Sequence, residues 1–144
     1  MSAEYIIDDG KKEIHVKNKL GEALAVLRFR TTDINIVDRA KKAQSKINDA
    51  VKALNNVKIK SDGTAESDLD TELLNRAEAE VRKQINYIFN DDVCSDLFKV
   101  SNPFSPVGGR FFAENVIELL VNIINHEMTV QQEEHIRKYT DDLE

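Results

Sequence analysis

The sequence predicts an α+β chain that is mainly α: a small N-terminal antiparallel sheet of two or three strands, followed by four or five helices. Three observations lead there. Short β-prone runs with period-two alternation cluster in the first 30 residues. Apolar residues recur at helical spacing through most of the remainder. Only 5 Gly and 2 Pro interrupt 144 residues, so most of the chain is free to form regular structure.

Tyr5-Ile6-Ile7 and the run 13–17 flank Asp8-Asp9-Gly10, and Asp-Gly between two β-prone runs predicts a hairpin. Ile14 and Val16 then share one face, His15 and Lys17 the other. A third run, 23–30, sets Leu27 and Phe29 against Arg28 and Arg30, as a half-buried strand does, although 24–27 is also compatible with helix.

Thr32 or Asp33 is a candidate cap for a helix over 33–55, with Val37, Ala40, Ile47, Ala50, Val51 and Leu54 as its apolar stripe and Asn55-Asn56 as its end. Residues 57–66 read as a linker with turn chemistry at 61–64, and 57–60 could add a short edge strand. Ser67-x-x-Asp70 is a near capping box opening a helix of about 22 residues. Asp91 or Asp92 can cap a shorter helix with Val93, Cys94, Leu97 and Phe98. A rigid connection, 101–109, precedes a strongly apolar helix over 110–128, whose apolar residues cover most of its circumference and predict burial. Thr129-x-x-Gln132 is read as a capping box that begins a separate last helix, with Ile136, Tyr139 and Leu143 on one side and an acidic end, 141–144, that frays. The whole is read as one domain over 1–144: a β/helix part (1–56), the linker and a helical part (67–144).

Composition narrows the function classes. The run at the N-terminus has no basic flank and no long apolar stretch, so no signal peptide is expected. The most apolar stretch, 116–124, is broken by Glu118 and Asn122, and no membrane association is expected. A single cysteine, Cys94, in an apolar and acidic context points to a reducing, cytoplasmic setting and a buried structural thiol. The net charge of −6 divides into +5 over residues 1–60 and −11 over 61–144. That asymmetry suits two solvated surfaces or head-to-tail self-association. Nucleic-acid binding is not favoured, because the basic half lacks interleaved aromatics.

No catalytic, cofactor or metal set is expected. His126-Glu127 begins like HExxH, but position 130 is Val. No GxSxG elbow is present, and Gly108-Gly109-Arg110 lacks phosphate-loop spacing and reads as a helix-starting turn. The paired carboxylates 8–9, 91–92, 133–134 and 141–142 all fall in turns, helix starts or the chain end, where capping and solvation account for them.

One segment stands out. Residues 97–112 hold four of the six Phe, and the partner-binding candidates are Phe98, Asn102, Pro103, Phe104, Pro106, Val107, Arg110, Phe111 and Phe112. Phe98 and Phe104 either anchor this loop to the core or contribute to a preorganised apolar surface. The run 102–112 before a hydrophobic helix, with a weaker echo in Tyr139-Thr140, resembles small proteins of the tail-morphogenesis region of phages and prophages of Gram-positive bacteria, among them tail assembly chaperones. The resemblance covers mainly residues 70–140. It implies a helical, non-enzymatic protein of the host cytoplasm that self-associates, shields the tape measure protein and helps recruit tail tube protein. Residues 1–60 lie outside it. A regulatory protein-binding module, of phage or host, is the alternative, and a DNA-associated protein using Arg39, Lys41, Lys42, Lys46 and Lys52 is the third.

Overall fold

Strand β1 (Lys11–Lys17) pairs antiparallel with β2 (Ala23–Arg30), with Ile14 opposite Leu27 and Val16 opposite Ala25. The computed structural model describes the backbone of residues 2–143 and the side chains of residues 2–138. The pleat alternates as predicted: Val16, Leu27 and Phe29 are buried, while His15, Lys17, Arg28 and Arg30 are exposed. Lys12 shares the inward face, and its ammonium meets Glu127 at 2.7 Å.

The hairpin turn, however, is not Asp8-Asp9-Gly10. It lies at 18–22, where Asn18 Oδ1 accepts from the N–H groups of Leu20 and Glu22 at 2.9 and 3.0 Å. Asp8 and Asp9 instead fold their carboxylates onto the N–H groups of Gly10 and Lys11 at 2.9 and 3.1 Å, launching β1. Tyr5-Ile6-Ile7 therefore lies outside the ladder, and all three side chains are at least 88% exposed. The helical alternative for 24–27 is excluded, because the segment is strand.

Helix α1 (Asn35–Lys52) buries Ile36, Ala40, Ala43 and Ile47; Ile36 and Ala43 join the predicted stripe, whereas Val37, Ala50 and Val51 are only half-buried. Asp33 Oδ1 accepts from Asn35 N–H at 3.0 Å at its start. Its end is not a left-handed Asn. Successive three-residue turns close it through Leu54 N–H to Val51 O and Asn55 N–H to Lys52 O. The left-handed Asn terminates α2 (Asp68–Phe89) instead, at Asn90 with φ 53°. At the other end of α2, Ser67 Oγ accepts from Asp70 N–H at 3.1 Å, as its capping role predicts.

Segment 57–66 packs onto the body. Val57, Ile59 and Ala65 lie against the core, and Ser105 Oγ donates to Asp62 O at 3.3 Å. The edge strand considered for 57–60 reduces to a single bridge between Ile59 and Ala65. Thr64 donates to Asp62 through its hydroxyl and its N–H, which holds that carboxyl below the usual range.

After the one-turn α3 (Cys94–Leu97) the chain forms a second, minimal hairpin, β3 (Pro106–Val107) with β4 (Arg110–Phe111). Gly108 and Gly109, at φ 64° and 78°, form its two-residue turn, so they turn a hairpin instead of starting a helix. Helix α4 (Phe112–Leu143) is then one unbroken element. The predicted break at Thr129 does not occur. With no Gly or Pro nearby to stop the helix, the Thr129 hydroxyl bonds back to Asn125 O at 2.8 Å and caps nothing. The expected placement of Tyr139 and Leu143, the echo at Tyr139-Thr140 and the fraying of 141–144 lie outside the described side chains.

The core gathers Leu27, Ile36, Ile47, Val81, Ile85, Ile88, Leu97, Phe104, Ile117, Leu120 and Ile124, each under 2% exposed. Helix α1 packs on α2 and α4, and β2 rests on α2 and α3. Contrary to the all-round burial expected of α4, Leu119 is exposed and Phe112, Val121 and Ile123 only half-buried. A two-stranded ribbon is too narrow to cover the apolar face of so long a helix.

Candidate protein-binding groove

That uncovered face makes the largest concavity described, a groove of about 710 Å³ between the turn end of β1–β2 and the first turns of α4. Its floor is Leu97, Phe112, Val116 and Leu120; its walls are Leu24, Leu20, Leu119 and Val107. The walls are open. Leu20 is 84% exposed and Val107 44% exposed. Lys17 and Lys19 stand at the mouth, and neither makes an ion pair among the described residues. An apolar trough of this size with a charged rim suits a helix or an extended segment from another chain.

The Phe-rich segment divides between core and groove. Phe98 is buried edge-on to Phe112, ring centroids 5.8 Å apart, with the Arg82 guanidinium 5.4 Å from the Phe98 ring. Phe104 is fully buried and edge-on to Phe111 at 5.5 Å. Pro103 is buried and its carbonyl accepts from Ala113 N–H at 2.7 Å, while Asn102 Oδ1 accepts from Phe104 N–H at 2.9 Å. Arg110 pairs with Glu114 and Glu118 on α4. Pro106 is exposed. Of the nine candidates, only Val107 and Phe112 line the groove. Phe98, Pro103 and Phe104 anchor the segment, and Asn102, Arg110 and Phe111 fix its shape. Leu20, Leu24 and Leu119 were not singled out from sequence. A leucine placed in an Asn-Lys-Leu-Gly turn was the available signal, since turns favour polar residues.

A second, more polar cleft of about 470 Å³ gathers Lys11, Arg28, Arg30 and Arg39 beside Asp33 and Tyr87. Its arginines are already engaged: Arg28 with Glu13, Arg30 with Asp9, and Arg39 with Asp33 and Ile88 O. No histidine, cysteine, serine or threonine lines it among the described residues.

No family model, curated protein or solved structure matches this chain.

Among the described residues no group of three His, Cys, Asp or Glu could hold a metal ion, and no helix is long and apolar enough to cross a membrane. His15, His126 and His135 are exposed and lie apart in the fold. Every buried side-chain nitrogen or oxygen described has a hydrogen-bond partner, so none is left poised for a ligand.

Cys94 is buried, its thiol 3.5 Å from Arg82 O, and burial pushes it from an ordinary 9.0 up to about 12. At pH 8 the thiolate is then about a thousandfold scarcer than for a free thiol. A disulfide reagent is expected to leave Cys94 unmodified in the folded protein and to label it within minutes in denaturant. Rapid stoichiometric labelling of the folded chain would contradict this burial.

Proposed function

We propose that this chain is a non-enzymatic assembly chaperone that holds an apolar helical segment of a client in the groove between β1–β2 and α4. The supporting observation is the groove itself: a broad apolar trough, open to water, on a body whose buried polar groups are satisfied. An exposed apolar surface of this kind calls for a covering partner. The resemblance of 102–112 to tail assembly chaperones names the client class: the tape measure protein, a long helical chain with apolar stretches in need of cover before the tail tube assembles around it. The excess of negative charge would keep such a complex from precipitating. The setting would be the bacterial host cytoplasm, with tail tube protein recruited as assembly proceeds.

The test is co-expression with a phage tape measure protein followed by size exclusion. Co-elution is expected for the wild type. Leu119→Asp is expected to weaken the complex at least about tenfold, since a charge in an apolar contact costs more than the 1.4 kcal/mol that tenfold represents. A complex that never forms, or one indifferent to Leu119→Asp, would overturn the proposal.

A further inference from the structure

We propose that Tyr5-Ile6-Ile7 of one copy of this chain seats in the apolar groove of a second copy, so that the groove is occupied in trans until a client displaces the segment. Displacement by a client rests on the reading above; the exchange between copies does not.

Three consecutive large apolar side chains, each at least 88% exposed, have no cover among the described residues. They form a run without helix or strand immediately before β1, and an apolar run that becomes extended in another chain's groove offers its alternate side chains to pockets there. Tyr5 and Ile7 share one face of such a run, about 7 Å apart, as a pair of anchors.

Reach decides which groove they can fill. The segment leaves the body at Gly10, whose carbonyl accepts from Thr31 N–H at 3.0 Å and whose neighbour Asp9 is fixed to Arg30 at 2.7 Å. The groove opens at the opposite end of β1, beyond Val16 and Lys17. Gly10 and Val16 are six strand steps apart, about 20 Å. Three residues from Gly10 back to Ile7 span at most about 10 Å. Ile7 therefore cannot enter its own groove, so the three residues cannot seat there together, whereas a second copy brings its segment free of that tether.

Charge sets the fit. Glu4 precedes the apolar run and Asp8 follows it, while Lys17 and Lys19 flank the groove mouth without ion pairs among the described residues. Exchange in both directions gives a closed two-fold dimer and uses both segments and both grooves.

The decisive experiment mixes Ile7→Cys protein with separately purified, tagged Leu119→Cys protein under mild oxidation. A disulfide between the two different chains is expected; buried Cys94 does not compete. Sedimentation at tens of micromolar is expected to give a dimer for the wild type and a monomer for Tyr5→Asp/Ile7→Asp. The latter should keep the wild-type helix content and a cooperative melt, because the segment lies outside the core. The same variant is expected to bind an apolar tape measure helix at least about threefold more tightly, its groove being vacant. A wild type that stays monomeric overturns the inference, including the case in which the segment covers Ile34 and Met128, which line a cleft with Thr31, the residue bonded to Gly10. So does a disulfide that forms only within one doubly substituted chain. Client binding by a monomer leaves the chaperone reading standing and sinks this one; a cross-linked dimer that ignores every client does the reverse.

Discussion

Phe104→Ala is expected to destabilise the fold by about 3–5 kcal/mol. Phe104 is fully buried, and its ring meets Phe111 edge-on at 5.5 Å. Truncation removes the transfer free energy of a large aromatic and leaves a cavity. The surrounding backbone is poorly placed to collapse into it. Pro103 O is held by Ala113 N–H at 2.7 Å, and Ser105 O by Phe112 N–H at 2.9 Å. Both bonds tie the segment to the start of α4. In urea the midpoint should fall with little change in slope. Val107→Ala, at a half-exposed position of the same segment, should stay within about 0.5 kcal/mol. The pair separates the two readings that the sequence leaves open for this Phe-rich run. Loss of stability at Phe104 marks an anchor. A change below 1 kcal/mol would mean that the ring is not part of the core.

The same segment shows where sequence patterns are informative and where they stop. The period-two alternation of 23–30 and the helical spacing of 67–89 each bury one side against a neighbour, so both elements are legible from residues alone. The second hairpin is not. Its strands are two residues each, too short for alternation to show, and the Gly108-Gly109 turn looks like a helix start when Phe111 and Phe112 follow it. The first hairpin turn was missed because Asp8-Asp9-Gly10 carries the stronger turn composition. Its carboxylates are nevertheless occupied by local N–H groups, and Asn18 makes the turn that closes the ladder. At Thr129 the capping motif competes with helix continuation, and continuation wins because nothing stops the preceding turn. The groove is a tertiary feature. Leu20 and Leu119 lie 99 positions apart and become one surface only when the ribbon fails to cover α4.

Gly63→Val is expected to cost about 2–4 kcal/mol, although Gly63 lies in a turn outside the helices, where it is itself buried. Two terms combine. Gly63 has φ 84°, a left-handed conformation that costs a side-chain-bearing residue about 1–2 kcal/mol, more for a β-branched one. A Cβ there would also lie 2.8 Å from Asn102 Cγ and 2.9 Å from Asn102 Cβ, so one of the two segments must move. Asn102 cannot yield cheaply, because its Oδ1 accepts from Phe104 N–H at 2.9 Å and so helps seat the buried ring. Overpacking of this kind costs about 1–3 kcal/mol. Gly21→Val isolates the backbone term: φ is 82° and nothing lies within 4 Å, so about 1–2 kcal/mol is expected. Asn102→Gly removes the clashing atoms. In that background Gly63→Val should fall to the Gly21→Val value, a coupling of at least about 1 kcal/mol in a double-mutant cycle. Additive costs would mean that the 57–66 turn and the Phe-rich segment do not touch. Strong coupling would mean that the turn holds Asn102, Asn102 seats Phe104, and the groove wall at Val107 depends on a residue more than forty positions away in sequence.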